Sequence, residues 1–160
     1  FPTRRSSDLP PLAQLASWLW WRLPQSFAEV WTLHEFTRWL AWHYRHGWVV
    51  SVSEGPQILG AVVFRPVIDE GRAMADHYHA DEAGSVVWLD ALAADSSTVL
   101  RALWDLGRRR LGREHHRLAW LQARRGHRMR SVQWARMGDH WGRGMIEETA
   151  HEKLVATAAA

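Results

Sequence analysis

Cysteine is absent from all 160 residues, which removes a thiol nucleophile, an iron–sulfur cluster and every Cys-type zinc site. Redox compartment is left open by this, since secreted proteins also lack cysteine. Lysine is scarce too: Lys153 stands against 19 arginines, a bias that GC-rich coding produces. No apolar run approaches the roughly 18 residues of a membrane-spanning helix. No signal peptide is visible either, so the cytoplasm is the expected compartment. Internal repeats and low-complexity segments are missing. What is present, 47% hydrophobic and 23% charged residues, is the make-up of an ordinary one-domain globular protein. A chain of this length buries roughly 68–70% of its unfolded surface without disulfides or a structural metal.

Residues 1–9 read FPTRRSSDL, which resembles the conceptual translation of a short-read sequencing adapter fused in frame. The source expected for such a fusion is metagenomic or draft-genome sequence. Setting that segment aside leaves one α/β domain over 10–141 and a frayed tail over 142–160.

Helices come first. Leu12 to Leu23 is apolar and stops before Pro24. Thr32 and Glu35 have capping-box spacing, and the helix they open should run to His46 with Gly47 as its stop. Leu33, Phe36, Leu40 and Tyr44 recur at 3 to 4 residues as its buried stripe. Trp48–Ser53 and Ile58–Phe64 then read as strands of an antiparallel hairpin around a four-residue loop, Glu54–Gln57. Residues 66–84 are polar and irregular. Val86–Ala93 is a central strand interrupted by Asp90. Asp95-Ser96-Ser97 caps a helix from about Thr98 to Leu111, with Val99, Leu100, Leu103, Trp104 and Leu111 inward and Asp105 and Arg109 paired outward. Strands near 117–123 and 130–137 follow.

Charge is uneven along this order. Residues 1–100 carry a net −4, residues 101–143 a net +9, and residues 144–160 a net −2. A basic block of this kind attracts nucleic acid, cofactor phosphates or an acidic carrier protein; otherwise it is a solvated arginine face.

The order helix, helix, hairpin, strand, helix, strand, strand resembles the N-acetyltransferase (GNAT) fold. Ser17-Trp18-Leu19-Trp20 followed by Pro24, and Val87-Trp88-Leu89-Asp90-Ala91-Leu92-Ala93 followed by a helix, are similar to stretches of the RTX toxin-activating lysine acyltransferases, a divergent branch of that fold. The similarity covers roughly Leu15 to Met137. It implies a single α/β (α+β) domain whose mixed, mostly antiparallel sheet carries two N-terminal helices and a helix after the strand bearing Asp90. It also implies transfer of an acyl group from a carrier-protein thioester to an amine. Asp90 matches the family's aspartate. The family's histidine falls at about Ser26 here, and the nearest imidazole downstream is His34, the candidate base. Ser96 and Ser97 at the helix start, with Arg101 and Arg108 along it, are the expected carrier-binding set. An acyl-CoA is the other thioester donor of this fold, but the turn Ala93–Ser97 lacks the glycines that let a backbone wrap a pyrophosphate.

On its own chemistry, a carboxylate in an apolar strand needs a partner. Asp90 should share a face with Val86, Trp88 and Leu92, where it serves as a proton acceptor or orients a histidine. Structurally it would cap loop amides or pair with an arginine such as Arg65. His34 and His43, nine residues apart, lie on opposite faces of their helix, so at most one faces a site. His77 and His79, among Asp76, Asp81 and Glu82, have ligand spacing for zinc or iron only if a third ligand arrives from elsewhere; no metal is expected. His115 and His116 read as exposed. Arg108–Arg110, Arg124, Arg125 and Arg128 near Trp120 and Trp134 suit single-stranded nucleic acid, without any module signature. Two functions stay open: an acyltransferase, or a non-catalytic accessory protein that uses the arginine face for an acidic partner or nucleic acid.

Overall fold

The computed structural model describes residues 9–23, 31–111, 117–122 and 128–133. Among these, a five-stranded sheet runs in the order β1 (Val49–Glu54), β2 (Gln57–Val67), β3 (Val86–Ala94), β4 (Arg117–Gln122), β5 (Arg128–Gln133). Every neighbouring pair is antiparallel except β3 and β4. A parallel pair needs a long crossover, and α4 (Ser97–Leu111) supplies it. The expected mixed sheet, with two helices before it and one after the Asp90 strand, is therefore the one that forms.

Helices α1 (Leu12–Arg22) and α2 (Leu33–His46) cover one face of the sheet. Leu15, Ala16, Leu19, Phe36 and Leu40 pack there against Val49, Ala61, Val63, Ala91 and Ala93. On the other face Val99, Leu100, Leu103 and Trp104 of α4 meet Val50, Val52, Val62, Phe64 and Leu92. Strand β2 is buried on both sides, which explains its nearly unbroken apolar sequence. At Gly60 the helix comes so close that a Cβ would sit 2.5 Å from Val99 Cγ1.

The caps form as their residues dictate. Thr32 Oγ1 accepts from Glu35 N at 3.2 Å while the Glu35 carboxylate accepts from Thr32 N at 2.7 Å. The carboxylate also accepts from the Thr32 hydroxyl at 2.9 Å, and the Thr32 amide most and its hydroxyl next hold the Glu35 carboxyl below its usual pKa. Gly47 ends α2 in the left-handed conformation at φ 71°. Ser96 Oγ accepts from Val99 N at 3.2 Å and opens α4.

Four local expectations change. Glu54 pairs directly with Gln57, so the hairpin loop is the two residues Gly55-Pro56, with Gly55 at φ 56°. Left-handed glycine makes so tight a turn feasible. Leu33, at the first turn of α2, is 42% exposed, and the buried stripe is Phe36, Trp39, Leu40 and His43. The segment read as irregular contains α3 (Glu70–Ala75), capped by Asp69, whose side chain accepts from Arg72 N. Arg109 donates to the main-chain oxygen of Asp105 at 3.3 Å rather than to its carboxylate.

Candidate functional site

Strand β3 carries a bulge at Asp90. Val63 pairs with Ala91 and the next residue of β2, Phe64, pairs with Leu89, so Asp90 has no counterpart across the ladder. One extra residue re-aims the side chains beyond it. Val86 and Trp88 lie on the α3 side of the sheet, but Leu92 falls on the α4 face beside Leu89. The expected common face of Asp90 with Leu92 is thus broken by the bulge. The ladder to β4 runs only from Val86 to Leu89. Asp90 itself is of intermediate exposure although its side chain is 3% exposed, so it is the main chain of the bulge that meets solvent.

The carboxylate is held from two sides. His43 Nε2 and Arg65 Nε each lie 3.0 Å from Asp90 Oδ2, and both partner side chains are fully buried. No described residue hydrogen-bonds Oδ1. Of the five N–H groups of the Arg65 guanidinium, four bonds are accounted for: besides Asp90, it donates to the carbonyls of Asp76, His79 and Ala73 at 2.7, 2.6 and 2.7 Å. Arg65 therefore joins the bulge to the connection between β2 and β3. A buried guanidinium tolerates its site only when most of its donors are paired in this way.

His43 is equally committed. Its Nδ1 faces Trp39 O at 3.0 Å and its Nε2 faces Asp90. The ring is boxed edge-on by Trp39 and Trp42, with centroids at 4.3 and 4.8 Å. No ring nitrogen is left for a substrate. The imidazole beside Asp90 is thus His43, on the buried side of α2, whereas His34 is exposed at the helix start. Helical spacing from Phe36 carried the signal, since residues 36, 39, 40 and 43 recur as i, i+3, i+4 and i+7.

Next to this network sits the turn 76–79. Trp39 Nε1 donates to His77 O at 3.2 Å, and the His77 ring lies edge-on to Trp31 at 4.9 Å. Loss of solvent lowers the pKa of His77; Asp90 and, less strongly, Asp76 pull it back up while Arg65 pushes it down. Among the described residues no three His, Asp or Glu side chains converge on a metal site. His77 and His79 acquire no third ligand there.

Ser96 and Ser97 stand at the start of α4, and Arg101 and Arg108 are exposed along it. Asp95, just before the cap, has Arg22 Nε at 3.7 Å from its Oδ1, which offsets its charge toward an anion. Arg110 instead turns back to donate to Gly47 O at 2.8 Å. Ser26, His115, His116, Arg124, Arg125 and Trp134 lie outside the described residues.

No family model and no curated protein matches this chain. Solved structures do. The GphF GNAT-like decarboxylase in complex with isobutyryl-CoA superposes with a TM-score of 0.52 over 74% of this chain at 16% identity. The loading GNATL domain of CurA from Lyngbya majuscula does so with a TM-score of 0.52 over 89% at 11% identity. The fold is GNAT-like. The chain spans 63% of the GphF structure and 69% of the CurA domain. At these identities the likeness concerns the GNAT-like fold alone, and no helix among the described residues is long and apolar enough to cross a membrane.

Proposed function

We propose that this GNAT-like domain is an acyltransferase that moves an acyl group from a carrier thioester to an amine. The observation that carries the reading is Asp90: a bulge sets it where β3 leaves β4, two donors fix Oδ2, and Oδ1 has no described partner. An oxygen so placed accepts from an incoming ammonium or amine while the donor lies along the exposed main chain of the bulge. The resemblance of the Trp18 and Asp90 segments to the RTX toxin-activating lysine acyltransferases supports an amine acceptor. The isobutyryl-CoA bound in the GphF complex and the CurA domain's being a loading domain support a thioester donor. In this reading Ser96 and Ser97 meet the donor's phosphate, and Arg101 and Arg108 meet an acidic carrier protein. The turn Ala93–Ser97 before α4 has no glycine to let the backbone wrap a pyrophosphate, which favours the single phosphate of a carrier arm over free coenzyme A.

A second reading is favoured by His43. Its burial and its two engaged nitrogens make the His43–Asp90–Arg65 network a structural clasp, as in a non-catalytic accessory protein. The test incubates the full chain with acyl carrier protein thioesters and acyl-CoAs, with and without a lysine peptide, and follows thiol release and amide formation. Amide formation that Asp90→Asn abolishes, in a variant that stays folded by circular dichroism, supports the transferase. Donor binding without turnover supports the accessory protein. Loss of carbon dioxide from a carboxyacyl thioester without any amine would replace transfer by decarboxylation.

A further inference from the structure

The turn bearing His77 is fixed more firmly than a surface turn requires. Arg65 Nη1 grips the carbonyls of Asp76 and His79 on either side of it, Trp39 Nε1 holds the carbonyl of His77 itself, and Tyr78 N donates to Asp76 Oδ1 at 2.8 Å. His79 N donates back to Asp76 O at 3.2 Å. Surface loops usually open easily, yet side chains of two separate elements, β2 and α2, anchor these four residues. The side chain so presented is an imidazole. His77 is exposed, its ring rests against Trp31, and no described residue hydrogen-bonds either ring nitrogen. The same Arg65 that holds the turn also holds Asp90 Oδ2, so one guanidinium separates the turn from the carboxylate.

On the acyltransferase reading, we propose that His77 is the catalytic base, in the position that neither His34 nor His43 fills. A free ring nitrogen takes one proton from the acceptor's ammonium, giving the neutral amine and an imidazolium, with Asp90 Oδ1 orienting the nitrogen. The amine lone pair forms the C–N bond at the thioester carbonyl. The C–S bond breaks, its electron pair leaves with sulfur, and the second amine proton ends on that thiolate. The imidazolium returns its proton to water. A base must be unprotonated to accept the proton, and the solvent that Trp31 displaces from one side of the ring lowers the pKa of His77. The charged groups around it are Asp76 on its own turn, Asp90 on β3 and Arg65 on β2; on the α2 side it meets Trp39, with His43 beyond.

Two measurements on the full chain decide the matter. Histidine NMR titration of wild type and Asp90→Asn should place His77 below ordinary imidazoles and lower still without the Asp90 charge; Asp76→Asn should shift it the same way. Rates of amide formation from about pH 5 to 9 should rise through that His77 titration in wild type. His77→Gln should lower kcat about 100-fold and erase that limb, while His34→Gln changes neither. A His77→Gln protein that keeps its rate and its limb overturns His77 as base and leaves the transferase intact. Wild type that forms no amide with any donor overturns the transferase and His77 with it, and a His77 titration indifferent to Asp90 overturns the electrostatic placement alone.

Discussion

Arg65 and Asp90 meet at 3.0 Å with side chains 0% and 3% exposed, and the guanidinium spends its other bonds on three main-chain carbonyls of the β2–β3 connection. One side chain thus fixes both a bulge in the middle of the sheet and the turn that overhangs it.

Removing that side chain should therefore unfold the domain more readily than removing any surface arginine. Arg65→Met leaves the Asp90 charge facing His43 alone and frees three carbonyls. The expected loss is about 3–5 kcal/mol, the cost of breaking a buried pair. Exposed Arg38→Ala should stay within about 0.5 kcal/mol. Urea denaturation of both variants makes the comparison, and equal midpoints would show the network to be energetically idle.

Much of this arrangement was legible in the residues. Thr32 and Glu35 announced their capping box, Gly47 its left-handed stop, and Val99, Leu100, Leu103 and Trp104 the face of α4. A buried Asp90 asked for an arginine, and Arg65 answers. His43 escaped because sequence distance from the Trp18 segment favoured His34, while the helical phase from Phe36 pointed inward at residue 43. The bulge was invisible, since alternation cannot reveal one extra residue in a strand; it alone moves Leu92 to the opposite face. Helix α3 has six residues, too short for periodicity to declare, and only Asp69 marks its start.

Close approach of α4 gives a second test. Gly60→Ala places a methyl 2.5 Å from Val99 Cγ1 and 3.0 Å from Leu103 Cδ1. Overpacking of this kind costs about 1–3 kcal/mol. Pairing it with Val99→Ala should recover part of the loss, whereas simple additivity of the two changes would show that the contact is not the cause.

Alkaline pH should loosen the N-terminal side of the domain. Tyr44 donates to Pro10 O at 2.6 Å, and burial pushes its pKa up from 10.0 to about 12. The folded state holds this proton more tightly than the unfolded chain does, so the stabilisation is complete below about pH 10 and fades as pH rises through about 12. Thermal melts across that window should show a decline that Tyr44→Phe removes. The same variant should be less stable at neutral pH, by about 1 kcal/mol for one lost hydrogen bond. An unchanged alkaline slope in Tyr44→Phe would assign the decline to other groups.

The arginine face of α4 provides the last test, one that separates its partners by physics. Arg101 and Arg108 are exposed on the helix that follows the Asp90 strand, and the basic stretch 101–143 carries a net +9. Exposed charges are screened beyond roughly 8 Å at physiological ionic strength, so binding through this face must weaken as salt rises. Duplex DNA releases counterions with a log–log slope near −0.9 per phosphate neutralised, making its salt dependence steep and indifferent to sequence. An acyl carrier protein offers a compact acidic helix, so its affinity should fall with salt less steeply and depend on that helix. Arg101→Glu with Arg108→Glu should abolish carrier binding by charge reversal, while Asp105→Ala between them should strengthen it slightly. Titration of fluorescent carrier protein and duplex DNA at two salt concentrations reads all of this directly. Undiminished carrier binding by the doubly reversed protein would move the docking surface off α4 and leave its arginines as a solvated face.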